Sequence, residues 1–206
     1  MKGIKSHAIL LFSVLAGIFA LSIYGLLSGD IPTEFNDVYH ALLDYSDQDI
    51  NQVIIREIRL PRIMMANISG AALSVAGMLM QTLFQNPLAG PYVLGINSGS
   101  SLMVALGVLS GVGFFNSELG LIGSALLGAF VFGLFILFTA SFLRNQIGLL
   151  LFGVMLGSFV SAIITILEAG SQAEALKSFA LWSMGSLNNV TIEQIPIILA
   201  VFIVTC

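Results

Sequence analysis

The sequence predicts an all-α, polytopic transmembrane helical bundle. Hydrophobic residues make up 57% of the 206 residues and charged residues 9%, whereas soluble domains carry roughly 25% charged residues. The mean hydropathy is +1.01. Apolar segments alternate with polar segments that hold nearly all the charges. Because a span needs roughly 20 apolar residues, we expect about six spans.

The predicted spans cover residues 8–28, 61–84, 91–112, 118–142, 147–168 and 192–206. The first follows Lys2 and Lys5 and has some features of a signal peptide. Its apolar run of about 21 residues exceeds the roughly 7–15 of a signal core, so we interpret it as an uncleaved span. The last run reaches the end of the sequence without a polar stop. We therefore expect residues 1–206 to form a single transmembrane domain that is truncated within its sixth span.

The polar segment between the first two spans, residues 29–57, is acidic and carries apolar residues at helical spacing. A short amphipathic helix is predicted there by Phe35, Val38, Tyr39, Leu42 and Leu43. Two placements fit this helix equally well. It lies at the membrane surface, or it packs against the loop side of the bundle.

Small residues recur at every fourth position in the predicted spans. This spacing puts them on one helix face, where the absence of bulk lets helix backbones approach closely. We therefore predict that these faces pack tightly against other helices. The stripes are Ala66, Gly70 and Ser74 in the second span, Gly95 and Gly99 in the third, Gly120, Ser124 and Gly128 in the fourth, and Gly153, Gly157 and Ser161 in the fifth.

Three arginines, Arg56, Arg59 and Arg62, stand at the start of the second span. Leu60 precedes a proline and is expected to be extended. Pro61 suits the first position of a helix. Arg62 would then lie in the first helical turn, where a positive charge opposes the helix dipole by about 0.3–1 kcal/mol.

Two structural explanations for these arginines are open: snorkelling at the membrane interface, and pairing with Glu57 and the acidic segment. The functional explanation is an external docking site for an acidic partner, because opposite charges steer an encounter and fix its register. Counting basic residues does not decide the orientation. A cytoplasmic N-terminus puts Lys2, Lys5 and Arg144 inside and Arg56, Arg59, Arg62 and Lys177 outside.

Patterns that other function classes require are missing from the sequence. No Asp, Glu, Lys or Arg lies in the middle of a predicted span, whereas ion-coupled transporters usually bury such a group there. A phosphate-binding loop of the G-x-x-x-x-G-K-[ST] type is missing, so no ATP site is predicted. We also find no ring of charge or filter sequence that would indicate a channel.

Catalytic and metal sites are not predicted either. Ser98 as a protease nucleophile would need a histidine base within reach, and His7 and His40 lie outside the predicted spans. The single cysteine, Cys206, excludes an internal disulfide and a cysteine-based metal site. Seven Lys and Arg residues argue against nucleic acid as a partner. Asn67 and its polar neighbours in the second span are interpreted as interhelical hydrogen-bonding groups, or as the lining of a wet path.

Four segments carry a family resemblance: RLPR at 59–62, GAALSVAGMLMQTLFQNPLAGPYVLGINSG at 70–99, LLLFGVMLGSFVSAI at 149–163 and LWSMGSLNNVTIEQI at 181–195. Along nearly all of its length the chain resembles the FecCD/BtuC family, the permease subunits of ABC importers for iron–siderophore complexes, haem and vitamin B12. It departs from the family pattern at Ser100, where Ala is common, and in the turn 144–148, which carries fewer basic residues than usual.

The resemblance implies ten spans per subunit, two subunits per transporter and a cytoplasmic N-terminus. It implies that Arg59 and Arg62 face a substrate-binding protein, and we add Arg56, one turn earlier, to this docking group. It also implies a cytoplasmic turn near the inner end of the substrate path, formed by Asn86, Pro87 and Leu88. The segment 169–191 resembles the external short helix before the sixth span. Its candidates for the path, with ordinary packing as the alternative, are Met184, Gly185 and Ser186, to which we add Asn67.

We therefore expect a transmembrane permease domain of a binding-protein-dependent ABC importer for iron–siderophore complexes, which is not itself an enzyme. Vitamin B12 or haem is the alternative cargo, and an ion-coupled secondary transporter or channel subunit is the alternative of another class. Expected partners are a second permease subunit (in a homo- or heterodimer), two cytoplasmic ATPase subunits, an extracytoplasmic substrate-binding protein and the lipid bilayer, without cofactor or nucleic acid. The expected location is the cytoplasmic (inner) membrane of a bacterium. The family's coupling helices follow the sixth span, so this chain alone is not expected to couple ATP hydrolysis to transport.

Overall fold

The computed structural model describes residues 2–92, 94–111, 117–143 and 145–205. Regular structure within these ranges is helical throughout. Arg144 and Cys206, which entered the sequence analysis, lie outside the described residues. The chain forms two compact units, one holding the residues up to Ala72 and those from Leu187 onward, the other Leu73–Ser186. The single domain stays a prediction.

The first unit contains α1 (Lys2–Leu27), α2 (Phe35–Leu43), the short α3 (Ile50–Val53), a π turn (Ile54–Arg59), the first half of α4 (Leu60–Phe84), a 3-10 turn (Ile192–Gln194) and α9 (Ile195–Thr205). The second unit contains the rest of α4, α5 (Ile96–Leu109), α6 (Glu118–Ala140), α7 (Gln146–Ala169) and α8 (Ala173–Met184).

Four apolar helical stretches within the described residues are long enough to cross a membrane: His7–Leu27, Ile50–Phe84, Leu119–Ala140 and Gln146–Ala169. The predicted third and sixth spans form the shorter apolar helices Ile96–Leu109 and Ile192–Thr205. The α5 helix has 14 residues, which at 1.5 Å per residue gives about 21 Å, against a hydrocarbon core of roughly 30 Å. The count of about six spans is therefore not confirmed.

The core of the first unit forms where α2 folds back onto the end of α1. Val38 and Ala41 of α2 are buried together with Leu26 and Ile55. The N-terminus of α2 is closed by the backbone N–H of Glu34, which donates to the Asp37 carboxylate at 2.9 Å. The predicted short helix is thus confirmed, and it packs on the unit through Val38 and Ala41. The other apolar residues whose spacing predicted it, Phe35, Tyr39, Leu42 and Leu43, are exposed.

The helix that carries the arginines begins earlier than predicted. Leu60 has φ −60° and ψ −50°, an α-helical conformation, and its N–H donates to the carbonyl of Ile55. Pro61 therefore lies inside a helical stretch, and Arg62 is not in a first turn. A proline ring inside an α-helix clashes with the carbonyl four residues earlier. The wider π turn keeps that carbonyl away from the ring, so the helix continues through Pro61.

In the second unit α5 is the central helix and contacts α6, α7 and α8. Val104, Ala105 and Val108 of α5 are buried against Phe179 of α8. A second cluster joins Phe84 at the end of α4 to the loop before α5 and to α6, through Ala89, Leu94 and Ile136. The two clusters hold the start and the end of α5 in place.

Glycines permit the closest helix contacts of this unit. A side chain at Gly99 would overlap the Phe132 ring, and one at Gly128 would overlap the Gly99 carbonyl, so α5 and α6 cross with their backbones in contact. At Gly95, which has φ +76°, a Cβ would lie 3.1 Å from the Gly153 carbonyl oxygen. A Cβ on Gly157 would lie 3.2 Å from Ser98 Oγ. The stripe of the third span therefore meets those of the fourth and fifth spans.

The stripe of the second span has a different environment. Ala66, Gly70 and Ser74 are all exposed, and a Cβ on Gly70 would have open space around it. Tight packing along this face of α4 stays a prediction.

The α4 helix ends in a Schellman motif. Gln85, with φ +48°, takes the left-handed conformation that usually belongs to glycine. Its N–H donates to the Thr82 carbonyl, and the N–H of Asn86 donates to the Gln81 carbonyl at 3.1 Å. These bonds satisfy the last carbonyls of the helix. Pro87 follows and cannot continue the helix.

Candidate functional site

Arg59 points into the first unit. Its side chain is only 9% exposed. One terminal nitrogen, Nη1, donates to the Leu26 carbonyl at 2.7 Å and to Thr33 Oγ1 at 2.8 Å. The other, Nη2, donates to the Ile31 carbonyl at 2.5 Å. A docking contact through Arg59 stays a prediction, while these bonds show that its donors are engaged within the chain.

Arg56 and Arg62 have different surroundings. The Arg56 guanidinium lies over the ring of Tyr45, 4.4 Å from its centroid, and is half-buried. Arg62 is exposed. Among the described residues, Nδ1 of His40 lies 4.0 Å from the Asp44 carboxylate. None of the three arginines is paired there with a carboxylate, so the predicted pairing with Glu57 is not found in this part of the chain.

A cavity of about 450 Å³ lies beside the arginines. It is lined by the apolar residues Ile54, Ile58 and Ile63, by Asp30, Arg59 and Arg62, and by the other residues of the segment 28–31. The exposed cation of Arg62 and the connection between α1 and α2 therefore share one surface.

Asn67 bridges two helices of the first unit. Its amide nitrogen donates to Ser22 Oγ at 3.1 Å, which joins α4 to α1. Of the two interpretations of the polar residues in this span, this bond supports interhelical hydrogen bonding for Asn67. A place for Asn67 on the substrate path stays a prediction.

The turn after α4 has a fixed shape. The side-chain oxygen of Asn86 accepts from the Leu88 N–H at 2.9 Å, an Asx turn, and its carbonyl accepts from the Ala89 N–H at 3.0 Å. Ala89 is buried against Phe84, whereas Leu88 is 88% exposed. The turn therefore presents a large apolar side chain at its tip from a rigid base.

A polar groove of about 470 Å³ lies between the start of α5 and α7. Its hydroxyl groups come from Tyr92, Ser98, Ser158 and Ser161, and Gly95, Gly153 and Gly157 also line it. We did not predict Tyr92 or Ser158 as site residues. The sequence signal for Ser158 was its position directly after Gly157, which adds a hydroxyl beside the packed stripe. Such a groove offers hydrogen-bonding groups that carry no charge.

The candidates for the substrate path, Met184, Gly185 and Ser186, lie at the C-terminal end of α8. Met184 is 81% exposed, and Gly185 has φ +75°, which a side chain would disfavour. Ser186 follows as an exposed residue. Trp182 stacks on Phe179 with ring centroids 6.1 Å apart and is half-buried. This stack lies within α8, and Trp182 also packs against the cluster that Phe179 forms with α5. The Met184–Ser186 segment leaves the packed end of α8.

The described part of the chain offers no candidate metal centre. Histidine, cysteine and carboxylate side chains form no group there that could hold a metal ion. The features that the structure brings together are therefore three: the arginine end with its cavity, the turn 86–89, and the hydroxyl-lined groove.

Comparisons with known proteins agree on one family. The chain is similar to the hemin transport system permease protein HmuU of Yersinia pestis, at 36% identity over 82% of this chain and 51% of the relative. It is similar to the ferric enterobactin transport system permease protein FepG of Escherichia coli K12, at 35% identity over 82% of this chain and 50% of the relative. The vitamin B12 import system permease protein of Klebsiella pneumoniae is 36% identical over 75% of this chain and 46% of the relative. The molybdate import system permease protein of Haemophilus influenzae is 36% identical over 71% of this chain and 43% of the relative.

A solved structure, an inward-facing conformation of a metal-chelate type ABC transporter, matches with a TM-score of 0.77 and 27% identity, over 96% of this chain and 59% of that one. The chain spans about half the length of the curated relatives it matches. The model of the FecCD transport family matches residues 14–206. Permeases of this family sit in the inner membrane, and the apolar helices of this chain suit that location. This chain therefore belongs to the FecCD transport family.

Proposed function

We propose that this chain is part of the permease subunit of a binding-protein-dependent ABC importer that carries iron–siderophore complexes. The observation that carries the proposal is the family match over residues 14–206. Helices of membrane-spanning length support it. The hydroxyl-lined groove supports it as well, because a large polar cargo needs hydrogen-bonding groups but no tight binding on its way.

The partners follow from this transporter type. The permease subunit pairs with a second one, and the pair works with two cytoplasmic ATPase subunits and an extracytoplasmic binding protein. ATP hydrolysis therefore belongs to the ATPase subunits. Alternating exposure of the path between two global states would move the cargo.

The docking face is the arginine end. Arg62 is exposed and Arg56 is half-buried over Tyr45, and within the described residues neither is paired with a carboxylate. A binding protein that offers carboxylates would give them their counter-charges. Opposite charge accelerates such an encounter at low salt and fixes its register. This assignment puts the start of α4 on the extracytoplasmic side and the turn 86–89 on the cytoplasmic side, where Leu88 would contact the inner gate.

Cargo other than iron–siderophore is the main alternative. Relatives of similar identity are permeases for hemin, vitamin B12 and molybdate, so the family match alone leaves the cargo open. Tyr92, Ser98, Ser158 and Ser161 in the groove suit a polar chelate.

The test is reconstitution of the complete transporter in proteoliposomes with its ATPase and binding protein. We expect uptake of a ferric siderophore that requires both ATP and the binding protein. Hemin, cyanocobalamin and molybdate, each supplied with the same binding protein, are the competing cargos. Faster uptake of one of them would replace the proposed cargo. Uptake driven by an ion gradient without ATP would overturn the importer assignment.

A further inference from the structure

The last turn of α1 leaves carbonyl groups that the helix itself cannot satisfy. The Leu26 carbonyl accepts from Arg59 Nη1 at 2.7 Å, and the Leu27 carbonyl accepts from the Thr33 hydroxyl at 3.1 Å. A cation at this position is also stabilised by the negative end of the helix dipole. Arg59 therefore caps a helix that ends 32 residues before it in the sequence.

The same guanidinium organises the connection between α1 and α2. Thr33 Oγ1 accepts from Arg59 and donates to the end of α1, while the Ile31 carbonyl accepts from Nη2. Gly29 leaves room for this arrangement, because a Cβ there would lie 2.6 Å from Arg59 Nη2. Residues 28–33 are thus folded around one buried side chain.

The π turn gives the three arginines different environments. On a regular α-helix, side chains three residues apart are neighbours on one face, so Arg56, Arg59 and Arg62 would form one continuous row. The wide turn Ile54–Arg59 interrupts that row. Arg59 is buried, Arg56 lies over Tyr45 and Arg62 is exposed.

We propose that Arg59 is a positioning residue, which holds the connection 28–33 beside Arg62 so that the docking face is formed before a partner arrives. This inference rests on the docking role proposed above. The cavity supports this placement, since Arg62 and residues 28–31 line it together. A surface ordered in advance loses less conformational freedom on binding. Arg59 thus acts through the fold, and Arg62 acts through its charge.

The first experiment uses the assembled transporter without its binding protein and measures hydrogen–deuterium exchange of the amides in residues 28–33. Arg59→Met keeps an unbranched apolar stem and removes the guanidinium with its donors. We expect exchange in this segment to rise on the order of tenfold or more, which corresponds to about 1.4 kcal/mol or more. Thr33→Val should change exchange in the same direction, while Thr33→Ser, which keeps the hydroxyl, and Arg62→Gln should leave it as in the wild type.

The second experiment measures the affinity of the same variants for the binding protein across a salt series. Arg62→Gln should weaken docking at low salt and flatten its salt dependence, because it removes an exposed charge. Arg59→Met and Thr33→Val should weaken docking at every salt concentration without flattening the dependence. Recovery of affinity in Thr33→Ser would show that the hydroxyl, not the size of residue 33, is needed.

Unchanged exchange in both Arg59→Met and Thr33→Val would overturn the inference. So would a flattened salt dependence in Arg59→Met equal to that in Arg62→Gln, because Arg59 would then present its charge to the partner. If Arg59→Met does not assemble, the comparison of Thr33→Val with Thr33→Ser decides whether the bonds around Arg59 hold residues 28–33. Wild-type docking in both Arg62→Gln and Arg56→Gln would refute the docking face instead, and the exchange measurement would still decide whether Arg59 holds the segment.

Discussion

Ser100 Oγ donates a hydrogen bond of 2.8 Å to the carbonyl oxygen of Ala125, across the contact between α5 and α6. Ser100 is the position at which the sequence departs from the alanine that is common in the resembled family. The serine therefore adds an interhelical hydrogen bond where the two backbones are already close.

Ser100→Ala should lower the stability of the subunit by about 0.6 kcal/mol, the average for an interhelical hydrogen bond in a membrane protein. The loss is small because the Ala125 carbonyl retains its place in the helix. Thermal unfolding in detergent, with Ser110→Ala as a control whose hydroxyl bonds within its own helix, measures the difference. A Ser100→Ala protein as stable as the wild type would mean that the bond contributes nothing.

Gly99→Ala and Gly128→Ala should each destabilise the subunit strongly. A methyl group at either position overlaps atoms of the neighbouring helix, and overpacking costs typically 1–3 kcal/mol. Gly123→Ala is the matched control on α6, because a Cβ there meets nothing within 4 Å. The melting temperature of each purified variant is the measurement. A drop in Gly123→Ala as large as in Gly128→Ala would contradict the described crossing.

Gln85→Gly should stabilise the end of α4. Gln85 holds φ +48°, and the left-handed conformation costs a residue with a side chain roughly 1–2 kcal/mol, which glycine avoids. Gln85→Ala keeps the Cβ and should match the wild type, so the pair isolates the backbone effect. Equal stability of the Gly and Ala variants would show that residue 85 is not left-handed.

Asn67 and Ser22 should be coupled in a double-mutant cycle. Asn67→Ala and Ser22→Ala each remove one partner of the 3.1 Å hydrogen bond, so the double variant should lose less than the sum of the two. The expected coupling is about 0.6 kcal/mol. Strictly additive losses, measured by thermal unfolding, would argue against the bond and favour the alternative, in which Asn67 lines a wet path.

Much of the helical fold was predictable because its signals are local. Long apolar runs identified α1, α6 and α7, and apolar spacing identified α2. The glycine stripes predicted close helix contacts, and the structure supplies the partners that spacing alone cannot name: Gly99 with Gly128 and Gly95 with Gly153. The start of α5 differs from the predicted third span, 91–112, because Gly95 with φ +76° precedes the helix, which begins at Ile96.

The surroundings of the arginines could not be predicted from the sequence. Pro61 indicates a helix start in most contexts, and only the π turn before it allows the helix to begin at Ile50 instead. The position of Arg59 depends on that turn and on the Leu26 carbonyl, to which it bonds across 33 residues. A hydrogen bond between residues so far apart along the chain leaves no periodic signal in the sequence.

The side of the membrane on which Arg62 lies is the most direct test of the proposed importer. Arg62→Cys and Leu88→Cys, each in a Cys206→Ser background, would be treated in intact spheroplasts with a membrane-impermeant thiol reagent. The proposal predicts labelling of position 62 in the intact cells and of position 88 only after the membrane is permeabilised. Labelling of position 88 from outside, with position 62 protected until permeabilisation, would place the arginine end in the cytoplasm and contradict the proposed docking of an external binding protein.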